Sequence, residues 1–235
     1  MKRGIIILLG FVAGLAAFFW HIGYIGGQPF VDLAPQGNRK PFAAVVMTGD
    51  MGFSAGMAGA IGERLAADGV AVVGVNSLTA FRTRRSPLDI GRLIARAEQR
   101  AMTLGHTDRV MLVAQSFGAD MLHVGLTRLP APARAHIQRI VLIVPGKTIT
   151  YRASPTAIFD VGQPAYPALP TARTIDWVPL LCIQGKEETD SLCPLLTGVN
   201  VRRVALPGGH PMHRDADAVY ATVTHFLFTA DETAR

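Results

Sequence analysis

The chain has 235 residues, 49% of them hydrophobic and 17% charged, which suits one domain with a full core and makes a second domain unexpected. Its 23 Lys and Arg against 17 Asp and Glu give a formal net charge of +6. The basic residues are scattered without a basic helix or an aromatic platform, which argues against nucleic acid as a partner. An anionic membrane surface is the better partner.

The amino terminus predicts export or membrane anchoring. Lys2 and Arg3 precede seventeen residues without a charge, Gly4 to Trp20, and the chain stays uncharged to Gly27. That length falls between a signal peptide and a spanning helix, and the positive charges before it predict that the rest of the chain crosses the membrane. We therefore expect a signal peptide or membrane anchor over residues 1–27, a linker over 28–41 and one exported domain over 42–235.

Beyond the linker, apolar runs typical of buried strands alternate with helical patterns, as in an α/β fold with a mostly parallel central sheet and helices on both faces. The expected strands are 42–48, 70–75, 110–114, 140–144, 178–184 and 201–205, and the expected helices are 57–67, 88–104, 117–129 and 216–228. A proline-rich excursion over 145–179, with a short strand at 157–161, breaks the rhythm. It either borders a ligand cleft or is an irregular surface loop.

Ser116 stands between the strand 110–114 and a helix, where a nucleophile elbow would place a catalytic serine. Such a turn needs small neighbours, and Gly118 meets this requirement, although Ala114 stands where glycine is usual. A serine that only caps the helix is the alternative.

A serine nucleophile needs a histidine base and a carboxylate that fixes the tautomer of that base. Asp190, in the segment after the strand 178–184, is the predicted acid, and Glu188 is its competitor. His210, on a glycine turn after the last strand, is the predicted base, and His213 is the second choice. Serine, acid and histidine then occur in the chain order of α/β-hydrolases.

An oxyanion hole would complete this site. The amide of Phe117 is one expected donor, and the amide of Asp50 or Met51, in the loop after the first buried strand, is the other. That loop could instead be only a glycine turn before a helix. We predict no metal site and no cofactor. Cys182 and Cys193 fit no zinc motif, and a disulfide and two buried thiols are both open.

These segments resemble the VirJ/AcvB type of bacterial virulence protein, periplasmic α/β-hydrolases, from about Phe42 to the last helix. The likeness rests on five stretches: Thr48-Gly-Asp-Met-Gly-Phe, Val73-Gly-Val-Asn-Ser-Leu, Ser116-Phe-Gly-Ala-Asp, Asp190-Ser-Leu-Cys-Pro and Pro207-Gly-Gly-His. The resemblance implies a triad of Ser116, Asp190 and His210 that hydrolyses aminoacylated phosphatidylglycerol, notably its lysyl form. Some members are discussed as partners of type IV secretion, so a scaffold that binds secretion-system proteins is the alternative function.

The departures from the family concern the substrate pocket. Met51 replaces a loop glycine and Phe53 the family's tryptophan, and we expect Phe53 to contact substrate. Asp50 and Asp120 are predicted to lie near Ser116 without transferring protons, so either could attract the ammonium group of an aminoacyl ester. Alternatively, Asp50 braces its loop and Asp120 stabilises the first turn of its helix.

Overall fold

The computed structural model describes residues 2–21, 26–153 and 164–228. A first helix, α1 (Lys2–His21), covers the predicted signal or anchor segment, and the ring of Phe19 packs against the main core. Across the described ranges, no helix combines the length and the apolarity needed to cross a membrane. Export and anchoring therefore remain predictions.

The strands of the described residues form one seven-stranded sheet and one two-stranded sheet. The strands are β1 (Phe30–Leu33), β2 (Ala43–Met47), β3 (Ala71–Val75), β4 (Val110–Gln115), β5 (Ile137–Ile143), β6 (Thr148–Ile149), β7 (Tyr166–Pro167), β8 (Leu180–Gly185) and β9 (Val201–Leu206). The larger sheet has the order β1-β3-β2-β4-β5-β8-β9, parallel throughout except for the antiparallel first strand at its edge.

The central strands are apolar on both faces because a helical layer covers each face. Every residue of β2 and β3 is buried, and alternate side chains enter two separate core clusters. The other helices are α2 (Gly52–Ala55), α3 (Met57–Ala67), α4 (Ser77–Ala80), α5 (Pro87–Gly105), α6 (Phe117–Leu126), α7 (Ala131–Arg134), α8 (Leu169–Ala172) and α9 (Ala216–Phe228). The predicted α/β fold with a mostly parallel sheet is confirmed.

The long elements lie where the periodicity places them, and the differences have local causes. Helix α6 ends at Leu126, three residues before the predicted end, because the next three amides bond to carbonyls three residues back and form a tighter turn. The predicted linker over 28–41 contains a strand that the sequence analysis did not expect, because Phe30–Leu33 pairs with Val72–Val75 at the edge of the sheet. The strand has only four residues, too few for its alternation to be read.

The excursion after β5 begins with the hairpin β6–β7, in which Ile149 pairs with Tyr166. It returns to β8 through α8 and lies at the carboxyl end of the parallel strands. The strand predicted at 157–161 falls outside the described residues. The placement of the excursion agrees with a cleft border at this edge of the sheet.

Candidate active site

Ser116 sits in a strained turn between β4 and α6. Its backbone has φ 51° and ψ −125°, a region that non-glycine residues rarely adopt. Its amide donates to the carbonyl of Ile143 at 2.8 Å, and its carbonyl accepts from the amide of Asp120 at 3.0 Å. This is the geometry of a nucleophile elbow, which presents the serine hydroxyl above the sheet edge. The side chain forms no capping hydrogen bond to α6, so the helix-cap interpretation is wrong.

Glycine is required two residues after the nucleophile. A Cβ on Gly118 would lie 2.3 Å from the carbonyl oxygen of Thr48 and 2.8 Å from that of Met47, so α6 can approach the end of β2 only without a side chain here. Ala114, where the family motif has glycine, is fully buried in β4. Its methyl group fits there, so this departure leaves the elbow intact.

The loop after β9 delivers His210. Gly208 has φ +95°, and the next turn holds Met212, His213 and Arg214 at positive φ, with the Met212 side chain buried in the second core cluster. A Cβ on Gly185 would lie 2.1 Å from the carbonyl oxygen of Gly209, so this glycine lets the histidine loop rest on the end of β8. The ring of His213 packs against Gly208, and His210 is the histidine that reaches Ser116.

Ser116, His210 and Glu188 form a hydrogen-bonded relay. Ser116 Oγ lies 3.0 Å from His210 Nε2, and His210 Nδ1 lies 2.5 Å from Glu188 Oε1. A carboxylate only accepts, so Nδ1 carries the proton and Nε2 is left to accept the serine proton. The Glu188 side chain is 5% exposed, whereas that of His210 is 52% exposed. The acid is thus buried behind a base that faces solvent.

The carboxylate beside His210 is Glu188, which corrects the predicted Asp190. Gly185 N donates to Glu188 Oε2 at 3.4 Å, and the Glu188 amide donates back to the carbonyl of Gly185 at 3.2 Å, forming a tight turn that aims the carboxylate at the imidazole. Asp190 lies two residues further on, is exposed, and uses its carbonyl to accept from the amide of Lys147. The longer glutamate side chain reaches from the turn directly after β8.

The pKa of His210 is raised above its usual value of 6.5, first because Glu188 accepts its hydrogen bond. Partial burial acts in the opposite direction, and the negative charges of Glu188, Asp50 and Asp190 raise the pKa further. Such an imidazole is a stronger base than an exposed histidine. Asp50 and Asp190 therefore contribute to the site by charge.

The loop between β2 and α2 runs beside the nucleophile. A Cβ on Gly49 would lie 3.4 Å from Ser116 Cβ and 4.0 Å from its Oγ. The Thr48 hydroxyl, which accepts from the Ser77 amide at 3.0 Å, anchors the loop. The amide of Phe117 is the first of α6 and has no acceptor within that helix. The expected donors Phe117, Asp50 and Met51 thus lie on the two segments that meet at Ser116.

Phe53 does not line a substrate pocket, contrary to the prediction. Its side chain is buried, and its ring fills the space over Gly74 of β3, where an added Cβ would lie 2.1 Å from a ring carbon. The ring also faces Gly62 of α3. The Phe53 ring therefore packs between α3 and the sheet, just after the loop that carries Asp50 and Met51.

Asp120 is buried behind the elbow. Its Oδ1 accepts from the amide of Gly146 at 3.0 Å, and burial raises the pKa of its carboxyl well above the usual value, with further increases from Asp190 and Glu188. Burial therefore disfavours the charged form of this carboxyl, although the hydrogen bond from Gly146 acts in the opposite direction. Asp120 connects the nucleophile helix to the segment after β5.

The loop that carries Glu188 is fastened at its far end. Cys182 in β8 and Cys193 form a disulfide across 11 residues of sequence. Gly146 pairs with Ser191 in an isolated antiparallel bridge, and the amide of Leu192 donates to the carbonyl of Pro145 at 2.9 Å. The disulfide and the bridge therefore hold residues 186–192 between β8 and the end of β5. In the described residues, no group of three or more His, Cys, Asp and Glu side chains is placed to hold a metal ion.

Solved structures share this architecture. A ferulic acid complex of Est1E from Butyrivibrio proteoclasticus aligns with a TM-score of 0.60 at 15% identity, covering 88% of this chain and 95% of that one. An alpha-beta serine hydrolase homologue from Coxiella burnetii gives 0.60 at 14% identity, covering 84% and 90%. A serine hydrolase without a lid from Xanthomonas campestris gives 0.53 at 17% identity, covering 83% and 86%. The chain has the α/β-hydrolase fold.

The sequence of the chain also matches one protein family. A search among curated proteins found no match. The profile of the bacterial virulence protein (VirJ) family matches residues 42–231, which include β2 to α9 and all three members of the relay. The chain therefore belongs to the bacterial virulence protein VirJ family.

Proposed function

We propose that the protein is an exported serine esterase that cleaves aminoacylated phosphatidylglycerol or a related lipid-linked ester. The observation that carries the proposal is the continuous relay from Ser116 Oγ through His210 to Glu188 on a strained elbow. A protein that used the fold only as a scaffold would not need this relay.

The chemistry follows from the geometry. Ser116 Oγ attacks the ester carbonyl while His210 Nε2 takes the hydroxyl proton, and Glu188 stabilises the imidazolium. The amides of Phe117 and of the loop at Asp50 and Met51 stabilise the oxyanion. The intermediate then collapses, the alcohol leaves with the proton from His210, and water cleaves the acyl-enzyme by the same steps.

The acidic groups near His210 favour a cationic acyl part. Asp50 is half-buried on the oxyanion loop, and its charge acts on His210 together with that of Asp190. A carboxylate about 4 Å from a substrate ammonium group would attract it by about 4 kcal/mol at intermediate dielectric, before the cost of desolvation. Asp120 is buried and its Oδ1 accepts from the amide of Gly146, so we assign this selection to Asp50.

Two features favour action outside the cytoplasm. The disulfide between Cys182 and Cys193 belongs to an oxidising compartment, and the uncharged amino-terminal run comes after two basic residues. An enzyme at the outer face of the inner membrane would meet its lipid substrate there. Binding to secretion-system proteins is the competing role.

The first experiment is covalent labelling of the purified protein by an uncharged fluorophosphonate. Wild-type protein should be labelled, and Ser116→Ala should not. Protein without label at any pH between 6 and 9 would contradict the esterase, and a Ser116→Ala strain that behaves like wild type would favour the scaffold.

A second experiment tests the acyl specificity. Asp50→Asn should lower kcat/KM for lysyl esters by about tenfold or more, with a much smaller loss for uncharged acyl esters of equal size. Glu63→Gln, which removes an exposed charge on α3, is the matched control. Equal losses for both ester classes in Asp50→Asn would mean that Asp50 only braces its loop.

A further inference from the structure

Arg84 lies between two tyrosine rings near the carboxyl edge of the sheet. Its guanidinium carbon is 5.3 Å from the ring centroid of Tyr151 and 5.7 Å from that of Tyr166, and Nη2 donates to the Tyr166 hydroxyl at 3.0 Å. The two rings meet edge to face with centroids 5.5 Å apart. These contacts orient a guanidinium that would otherwise move freely in solvent.

Two distant segments build this arrangement. Arg84 belongs to the loop between α4 and α5, whereas Tyr151 comes after β6 and Tyr166 lies in β7. The amide of Ala153 donates to the carbonyl of Phe81 at 3.0 Å, which fastens the excursion to the arginine loop. The excursion therefore has a role at this edge of the sheet: it positions aromatic rings around Arg84.

The space in front of Arg84 is an open cleft of about 470 Å³ lined by Arg84, Arg85, Ser86, Pro87, Tyr151 and Tyr166. Among the residues that the structure describes, its lining contains two guanidinium groups, two phenols and no carboxylate. Within the described residues, neither Arg84 nor Arg85 forms an ion pair. The nearby Asp89 accepts hydrogen bonds from the amide and hydroxyl of Ser86, which caps α5, and the charge of Arg85 also acts on it. Arg85 Nε donates to the carbonyl of Ala80, so Arg84 is the main group that an anion would meet. The cleft is therefore positively charged, and an anionic ligand could approach its guanidinium groups.

A pair of aromatic rings links the arginine loop to the proposed catalytic site. Phe81, three residues before Arg84, packs its ring against that of Phe117 at 5.3 Å between centroids, and Phe117 comes directly after Ser116. The acidic group Asp50 acts instead on His210, on the histidine side of the nucleophile. An ester bound at Ser116 would thus meet negative charge on one side and the arginine cleft on the other.

We propose that this cleft, through Arg84 and Arg85, binds the phosphodiester of the alcohol part of the substrate. The inference rests on the proposed esterase function and adds an anion subsite to it. A phosphodiester presents two oxygens that match the planar fork of a guanidinium, and a tyrosine hydroxyl supplies a further donor. Because Arg84 is exposed, the attraction is screened by salt.

Binding can be measured without turnover, using Ser116→Ala protein and a soluble probe. Glycerophosphoglycerol should bind at 50 mM salt and more weakly at 500 mM, and uncharged diglycerol should not bind. Arg84→Gln should weaken binding of glycerophosphoglycerol about tenfold, as expected for a lost charge-assisted hydrogen bond. Arg84→Lys should recover only part of it, because an ammonium lacks the planar fork.

Arg202→Gln is the matched control, since it removes one exposed positive charge at the amino end of β9, away from the carboxyl edge of the sheet. It should leave binding unchanged. Equal losses in both arginine variants would reduce the effect to net charge and overturn the subsite. Tighter binding of inorganic phosphate than of the diester would also overturn it, by assigning the cleft to a free anion.

Kinetics then separates this proposal from the esterase itself. With active protein, Arg84→Gln should raise KM about tenfold for aminoacyl esters that carry a phosphodiester, with a much smaller change in KM for neutral alcohol esters and in kcat for either class. Absence of fluorophosphonate labelling with intact binding of glycerophosphoglycerol would refute the esterase alone. Normal labelling with no diester binding would refute the subsite alone.

Discussion

The elbow at Ser116 and the loop that carries Glu188 serve the same relay but are built on different principles. The residues that make the elbow are close in sequence: strand β4, Ser116 at φ 51° and Gly118 lie within nine residues, and Gly118 meets the end of β2. The acid loop depends on distant contacts, since Glu188 meets His210 22 residues away and the disulfide and the bridge to Gly146 fix its far end. Local steric demands can be read from residue types, but a choice between two neighbouring carboxylates cannot.

The largest expected effect on catalysis comes from replacing Glu188, the carboxylate beside His210. Glu188→Gln should keep the fold and lower kcat by about 10⁴-fold, as an amide in place of the triad carboxylate does in serine proteases. Asp190→Asn, two residues away, is the matched control and should lower kcat by less than about threefold, because it removes only a distant charge. Steady-state kinetics on one ester measures both. The reverse ranking would return the acid role to Asp190.

The choice between Glu188 and Asp190 shows how much of the site can be predicted from the sequence alone. Ser116 and His210 each come after a strand in a turn of small residues, so the sequence identifies them, and the structure brings them within hydrogen-bonding distance. Glu188 and Asp190 both come after β8, and only the turn closed between Glu188 and Gly185 decides which faces the imidazole. The prediction for Phe53 failed for a related reason: the cavity over Gly74 that its ring fills is formed by another strand.

The fold, too, has elements that the sequence predicts and elements that it does not. Long periodic segments such as α3, α5 and α9 begin and end within one residue of their predicted bounds because burial on one face repeats along the helix. The strand β1 was missed because its place is set by pairing with β3. The arginine cleft was missed because its tyrosines come from a segment without periodicity.

The elbow makes a steric prediction. Gly118→Ala should lower the free energy of unfolding by about 3 kcal/mol and abolish most activity, because its Cβ would overlap the carbonyl oxygens of Thr48 and Met47. Gly209→Ala, where an added Cβ meets nothing within 4 Å, is the control and should change stability by less than about 1 kcal/mol. Thermal unfolding compares the two. Equal stability of both variants would contradict the close approach at the elbow.

The disulfide that closes the loop carrying Glu188 allows a second stability prediction. Replacing both Cys182 and Cys193 by Ser should lower the free energy of unfolding by about 2 to 3 kcal/mol, the value expected for a short closed loop. Activity at a temperature well below unfolding should also fall, because residues 186–192 lose one of their anchors. Reductant should reproduce both effects in wild-type protein and change nothing in the double variant. Full activity of the double variant would mean that the bridge to Gly146 alone positions Glu188.

The smallest effect is in the pH dependence, and it tests the charges around His210. The imidazole must be neutral to take the Ser116 proton, so kcat/KM should fall as the pH decreases through the pKa of His210. Because Glu188, and secondarily Asp50 and Asp190, raise that pKa above 6.5, the acidic limb of the profile should lie above pH 6.5. Asp190→Asn removes one of the weaker contributions and should move the limb toward lower pH by a fraction of a unit, with the rate at high pH unchanged. Glu188→Gln should move it further and lower the plateau as well. A limb that stays in place in both variants would mean that another group controls the profile.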